Sequence, residues 1–330
     1  MDTRIVITQN VDPWRNLAME EYLLNHVRPG ESILYLWQNQ NTVVIGKNQN
    51  AWKECRSELL ETEGGKLARR SSGGGAVFHD LGNLNFSFIM DRQLYDVHKQ
   101  LEVILNALKN LGINAVFSGR NDLTVDDKKF SGNAFSYRSK SALHHGTILV
   151  SADIANMTRY LRVSRDKIKS KGIESVRSRV TNLVDYKEDL DIEIMVDAII
   201  HSFSKIYGNF DRLEMGEEGM DIEALNKLYE KYQSWEWRFG ESPKFDIEFS
   251  TRFPWGNIEI GLGLERGKIV KASVYSDAMD EKFIEKIPGK LQGCLFKPDS
   301  MAKTIEELGM DRARLNMSAD IADWIRRRGF

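Results

Sequence analysis

Apolar and polar positions change period several times along the chain, which separates strands from helices before any chemistry is considered. Arg4 to Thr8 reads as a short strand. Asp12 and Pro13 then supply an N-cap and a proline at the first helical position, with Trp14, Leu17, Ala18 and Tyr22 on one face of the helix that follows. Strands are predicted at Ile33 to Trp37 and Thr42 to Ile45, then a polar helix from about Ala51 to Glu63 that stops at Gly64-Gly65. Ala76 to His79 and Asn85 to Met90 read as strands, and Val97, Leu101, Ile104, Leu105 and Leu108 mark a long amphipathic helix ending near Gly112. Beyond it come a strand at Ala115 to Ser118, a hairpin from Asp122 to Phe135 turning at Asp126-Asp127, and a strand from Gly146 to Val150. From Ser151 to about Asn209 the pattern is largely helical, including Leu190 to Tyr207, and a helix at Asp221 to Gln233 follows. Gly240 to Pro243 reads as a linker; past it, strands at Phe245 to Thr251, Gly256 to Leu264 and Lys268 to Tyr275 form a small antiparallel sheet, with Glu265 to Lys268 as a turn and helices closing the chain.

Hairpins and adjacent strands interleaved with helices predict an α+β, mixed-sheet first domain, not a doubly wound parallel sheet. The boundary falls near Pro243, giving residues 1–243 and a smaller α+β domain at 244–330. The length of 330 residues suits two cores. Forty-six Lys and Arg balance 48 Asp and Glu, so no global field favours nucleic acid or an anionic membrane. The two cysteines, Cys55 and Cys294, are far apart and lack the C-x-x-C spacing of a zinc or redox site. With no signal-like segment and no apolar run of membrane-spanning length, a cytoplasmic protein is expected.

Against this background the segment from Arg69 to Asp80, RRSSGGGAVFHD, is unusual: three glycines follow two arginines and precede a strand. Gly73, Gly74 and Gly75 can bring main-chain N–H groups close to a ligand, and a guanidinium suits phosphate or carboxylate oxygens. The same composition also describes a plain glycine turn. A Walker loop is absent, since Gly65-Lys66 is followed by Leu67, and the glycines from Gly261 to Gly267 lack dinucleotide spacing. Two further segments, GRNDLTVDDKKFSGNAF from Gly119 and HHGTILV from His144, strengthen the anion-site reading.

Together these segments resemble the lipoate-protein ligase A family of the biotin and lipoate ligase superfamily. DPWRNLAMEEYLL from Asp12, LWQNQNTVVIGKNQNAWKEC from Leu36, KGIESVRSRVTNL from Lys171, SWEWRFG from Ser234 and LQGCLF from Leu291 carry the resemblance across nearly the whole chain. It implies a biotin/lipoate ligase-like catalytic domain that activates lipoate with ATP to lipoyl-AMP and transfers the lipoyl group to a lysine. The implied partners are lipoyl domains of 2-oxoacid dehydrogenase complexes and the glycine cleavage H protein. Lys129, just ahead of the S-G motif in KFSG, is implied to contact the lipoate carboxylate and the α-phosphate; Arg70 and the main chain of Gly75, Ala76, Val77 and Phe78 are implied to hold the nucleotide.

Without that match Lys129 would read as a solvated hairpin lysine; strand alternation gives Lys128 that role. Arg69 reads as structural charge. Mg2+ is expected with the triphosphate; Asp122 is a candidate near it, and no pattern fixes the metal ligands. His79, His144 and His145 are tempting as bases, but beside strands they read as satisfied structural histidines. The strands carrying Val77 and Phe86 are candidate walls of an apolar lipoate slot. The basic stretch between Arg159 and Arg179 could close over the intermediate, steer an acidic carrier, or be a solvated face. Two alternatives stay open: an ATP-independent octanoyl or lipoyl transferase working through a cysteine thioester, and a lipoate-binding protein without turnover.

Overall fold

A computed structural model describes residues 2–118, 121–162, 180–239, 247–265, 267–309 and 312–328. The linker at Gly240 to Pro243 and residues 163–179 of the basic stretch lie outside the described residues. The chain divides into two compact units: Met1–Ile45, Ala51–Ser71 and Ala76–Arg238 form the first; Gly46–Asn50, Ser72–Gly75 and Phe239–Phe330 form the second.

In chain order the first unit runs β1 (Asp2–Ile7), α1 (Pro13–His26), β2 (Glu31–Trp37), β3 (Thr42–Ile45), α2 (Ala51–Glu54), α3 (Ser57–Thr62), β4 (Lys66–Arg69), β5 (Val77–His79), β6 (Asn83–Asp91), α4 (Val97–Asn110), β7 (Val116–Ser118), β8 (Asp122–Val125), β9 (Lys128–Tyr137), β10 (Ser141–Leu149), α5 (Ile154–Tyr160), α6 (Ile192–Tyr207), β11 (Arg212–Met215), α7 (Ile222–Gln233) and α8 (Trp235–Arg238). Eight strands make one mixed sheet in the order β11-β1-β2-β6-β10-β9-β8-β7, and a three-stranded sheet is ordered β4-β3-β5. β1 is parallel to both its neighbours, while β2 to β6, β10 and β9 pair antiparallel.

Alternation along β6 sorts the two cores. Leu84, Phe86, Phe88 and Met90 pack with Leu101, Ile104 and Leu108 of α4 and Ile199 and Phe203 of α6. Ile89 instead joins Val6, Ile33, Tyr35 and Trp37 against α1, α7 and the small sheet, through Leu17, Leu23, Leu225, Val44 and Ala68. Asn83, Asn85 and Ser87, buried on that second face, give it a polar strip. Asp12 caps α1 by accepting from the Trp14 N–H, and Asp96 caps α4 by accepting from His98 and Lys99.

Two sequence expectations change. The helix expected from Ala51 to Glu63 breaks at Cys55-Arg56, because that backbone pairs with another segment: Arg56 N donates to Tyr160 O at 2.9 Å and Arg162 N to Glu54 O at 2.8 Å. The stretch expected to be largely helical from Ser151 contains α5 and α6, but residues 180–191 carry a bridge from Val180 to Lys129 and a 3₁₀ turn at Leu183–Asp185, where Asp185 Oδ2 accepts from Asn182 N at 3.2 Å. Strands β4 and β11 have too little alternation to announce themselves: β4 is buried beyond its first residue, and β11 is an exposed edge.

In the second unit β12 (Ile247–Phe253), β13 (Gly256–Glu265) and β14 (Lys268–Ser276) form an antiparallel sheet, followed by α9 (Glu281–Leu291), α10 (Pro298–Glu306) and α11 (Arg312–Arg328). Phe249, Ile258, Ile260, Leu262 and Ile269 pack against Phe283, Ile287, Met301, Ile305 and Ile321. Residues 46–50 and 72–75 belong to this unit through backbone contacts: Ser276 N donates to Asn48 O at 2.7 Å and Gly74 N to Ala278 O at 3.2 Å.

Candidate active site

The hairpin of β8 and β9 turns through Asp126 and Asp127, at φ 48° and 61°, the two left-handed residues that a tight twisted hairpin requires. Its ladder then slips: Leu123 faces Ser131 but Thr124 faces Lys129, so Phe130 is an inserted, fully buried bulge residue. The bulge turns Lys129 onto the face shared by Asp122, Thr124 and Gly132. A Cβ on Gly132 would lie 2.9 Å from Lys129 Nζ and 3.1 Å from Cε, so the missing side chain is what lets the lysine lie across the strand. The ammonium sits 2.7 Å from Asp122 Oδ1 as a charge contact and not a directed hydrogen bond. Backbone bonds fix the platform: Thr181 N donates to Lys129 O at 3.0 Å, and Gly132 N donates to Thr147 Oγ1 at 3.2 Å. Lys128 is exposed, as alternation predicts, while Lys129 is half-buried.

Thr147 stands opposite Asn85 on β6, and Asn85 opposite Trp37 on β2, so a row of side-chain positions crosses the sheet from Gly132 to the indole. The next row is ionisable and buried. Ser87 Oγ donates to Glu20 Oε1 at 2.5 Å, Trp37 Nε1 donates to Ser87 Oγ at 3.1 Å, and His145 Nδ1 lies 2.8 Å from the same Glu20 oxygen. Arg70 is buried there too; burial pushes its guanidinium down to about 10, opposed by the Glu20 charge, and its Nη1 donates to Val44 O at 3.4 Å. His79, 3.1 Å from the Asn39 amide, is held down to about 3, first by burial and then by the charges of Arg70 and His145. Among the described residues His79 Nε2, Asn83 Oδ1 and Asn85 Nδ2 are buried without a hydrogen-bond partner, an unusual concentration of unmet polar atoms along one strip.

All three histidines are buried, but His79 is not fully satisfied as expected, since its Nε2 has no hydrogen-bond partner. Arg69 is structural: its guanidinium donates to Trp237 O at 2.8 Å and Arg238 O at 2.7 Å, and Trp237 Nε1 donates back to Arg69 O at 2.8 Å. Val77 and Phe78 lie on β5, which among the described residues is an edge strand paired with β3 alone, so alternate main-chain groups point away from the sheet. Phe78 buries its ring beside Tyr160, leaving only backbone for a ligand. Of the two strands expected as walls, β5 packs Val77 with the α1 core, and β6 turns Asn85 to that side while Phe86 takes the opposite face beside α4.

In the second unit the glycines divide by cause. A Cβ on Gly73 would meet Ala278 O at 2.5 Å, and Gly74 has φ +96°, so packing and backbone demand glycine at both. Neither applies to Gly75, whose Cβ would meet nothing within 4 Å. Glu20, Trp37, Asn83 and Asn85 escaped the sequence reading, since each sits in an ordinary helix or strand pattern. For Asn85, the alternation that made Phe86 apolar was the available signal. No cluster of three or more His, Cys, Asp or Glu positioned for a metal occurs among the described residues. No helix among them is long and apolar enough to cross a membrane.

An ammonium beside a carboxylate, a buried arginine and an edge strand on a mixed α+β scaffold are the features of an enzyme fold suited to anionic ligands. Residues 12–204 match the family model described as the lipoyl protein ligase A/B catalytic domain, and residues 242–325 match that of the bacterial lipoate protein ligase C-terminus. The chain is 40% identical to a lipoate-protein ligase A of Psychrobacter cryohalolentis, across 98% of this chain and 98% of that protein. Its structure is similar to that of P. falciparum LipL1 in complex with lipoate, with TM-score 0.88 and 30% identity over 99% of this chain and 100% of that one. It is also similar to a lipoate-protein ligase A bound with ATP, with TM-score 0.65 and 28% identity over 73% of this chain and 99% of that one. The chain belongs to the lipoate-protein ligase A family, and it is a lipoate ligase with that family's mixed α+β fold.

Proposed function

We propose that the enzyme works in two half reactions. The lipoate carboxylate attacks the α-phosphate of ATP, forming lipoyl-AMP and expelling pyrophosphate; the ε-amine of a carrier lysine then attacks the acyl carbon, forming the amide and expelling AMP. The observation that carries this reading is Lys129 laid over Gly132 beside Asp122. Two anions must meet in the first step, and a cation held by a bulge and a glycine offsets their repulsion without having to be reorganised. In the proposal Lys129 contacts the carboxylate and the α-phosphate, Arg70 contributes positive charge to the nucleotide, and main-chain groups of Gly75, Ala76, Val77 and Phe78 hold it.

Magnesium fits this arrangement. The ion commonly takes one or two carboxylates plus phosphate oxygens rather than an all-protein cage, and Asp122 offers one half-buried carboxylate. Asp122 would hold it, and the ion would supply further neutralisation of the triphosphate. The second step needs a neutral amine from a lysine whose ordinary pKa is ~10.4, and the mixed anhydride already supplies the leaving group. The proposed acceptors are lipoyl domains of 2-oxoacid dehydrogenase complexes and the glycine cleavage H protein, met in the cytoplasm.

A cysteine-thioester transferase is disfavoured by the thiols. Cys55 is buried and its thiol is pushed up to about 12 by burial, the reverse of an activated nucleophile. The Cys294 thiol sits 3.3 Å from both Lys290 O and Thr304 Oγ1. Replacing both cysteines by alanine is expected to leave ligation within about threefold of the parent, since neither thiol enters the chemistry. The decisive assay incubates the protein with lipoate, ATP and magnesium. Pyrophosphate and lipoyl-AMP are expected without carrier, and an acylated carrier when a lipoyl domain is added. Carrier acylation from an acylated donor domain without ATP, lost in the double cysteine variant, would overturn the reading.

A further inference from the structure

One buried histidine plays no part in this chemistry, yet its contacts end at the active site. His144 lies on the face of the large sheet opposite Lys129, boxed by Phe86, Phe88 and Phe135 with ring centroids 5.5, 5.7 and 4.7 Å away. Its Nδ1 is 2.9 Å from Gln100 Oε1 on α4, and its Nε2 is 2.9 Å from Asn133 Oδ1 on β9. Asn133 is then clasped to Asn121 three times: Asn133 Nδ2 donates to Asn121 O at 3.1 Å, Asn133 N donates to the same oxygen at 2.9 Å, and Asn121 Nδ2 donates to Asn133 O at 3.0 Å. Asn121 is the residue before Asp122, whose carboxylate meets the Lys129 ammonium.

The chemistry of the chain fixes its direction. Asn133 must turn its amino group to the Asn121 carbonyl, so its oxygen faces the ring and Nε2 carries the proton. Both ring nitrogens face amide oxygens, and a ring that burial holds neutral has one proton to donate; with Nε2–H given to Asn133, the Gln100 amide must turn over so that its amino end meets Nδ1. Gln100, His144 and Asn133 are fully or almost fully buried, so an unmet atom among them is costly.

We infer that His144 is a positioning residue for adenylation: through Asn133 it holds the Asn121-Asp122 segment, and with it the carboxylate that sets where the Lys129 ammonium points. The inference rests on the ligase reading given above, in which Lys129 serves the first half reaction. It assigns His144 no contact with substrate. It also gives a reason for an imidazole inside a phenylalanine box, where a fourth phenylalanine would pack.

The test compares His144→Phe, which suits the aromatic box but cannot donate, with His144→Gln, whose terminal amide can still donate to Asn133. Adenylation is read as pyrophosphate release from lipoate, ATP and magnesium, and transfer is read separately from chemically prepared lipoyl-AMP to a lipoyl domain. His144→Phe is expected to lower kcat of adenylation about tenfold or more, with KM for lipoate within about threefold and transfer less affected; His144→Gln is expected to restore most of it. Should His144→Phe not fold, Gln100→Leu leaves the imidazole in place but frees its orientation, and carries the same expectation. The inference is overturned if a folded His144→Phe adenylates at the parental rate, if His144→Gln is equally impaired, or if both half reactions fall together. A parent enzyme that makes no adenylate would instead sink the ligase reading, so the two failures are distinguishable.

Discussion

Lys129→Ala is expected to lower adenylate formation about a thousandfold while the protein melts at nearly its parental temperature. The magnitude follows from charge. Two unit anions brought to about 4 Å in surroundings of effective dielectric about 20 repel by about 4 kcal/mol, and a cation held between them offsets a term of that size. Four kcal/mol on a barrier is roughly three decades in rate. The stability cost is small because the Lys129–Asp122 pair is half-buried, at 35% and 37% side-chain exposure, and such pairs contribute about 0–1 kcal/mol. Pyrophosphate release without carrier measures the first quantity and thermal unfolding the second. Gly132→Ala is the matched control. Its Cβ would stand 2.9 Å from the ammonium, so the flexible lysine end moves and the strand does not. Adenylation should fall with the fold unchanged, showing that position as well as charge matters. Undiminished adenylation by Lys129→Ala would remove the basis of the proposed first step.

How much of this was legible depends on whether a residue's role is written locally. Helices α1 and α4 follow period and punctuation, because each turns an apolar face to a core and is capped by its own aspartate, Asp12 or Asp96. The hairpin turn at Asp126-Asp127 is similarly local, since aspartate tolerates the left-handed region that both residues take up. The helix expected through Cys55 fails for a long-range reason: its backbone finds partners at Tyr160 and Arg162, more than a hundred residues on, and no local propensity reports that. The glycine triplet reads as one feature in sequence yet separates in three dimensions into a close approach, a positive φ and an open position. The family resemblance pointed to Lys129, but the bulge at Phe130 that presents it depends on the register of β8 against β9. Glu20 and Ser87 come from elements 67 residues apart and meet only across the packed layer.

Acidification should destabilise the protein well before its carboxylates titrate. His79 and His144 are both held down to about 3, each chiefly by burial, with the His145 charge, and for His79 also the Arg70 charge, adding to it. In the unfolded chain both take up a proton below their ordinary value of about 6.5. The unfolded state therefore binds more protons throughout the window from about pH 6.5 down to about 3, so stability is complete above that window and drains away as pH falls through it. Between pH 7 and pH 5 each ring should lose about 2 kcal/mol, together about 4, a large fraction of the 5–15 kcal/mol that holds a typical domain. Urea unfolding at the two pH values measures the difference, and His144→Gln should remove about half of it, since an amide has no proton to take up. Equal stability at pH 7 and pH 5 would mean that water reaches these rings, and that neither the His79 layer nor the phenylalanine box around His144 is the dry interior their burial implies.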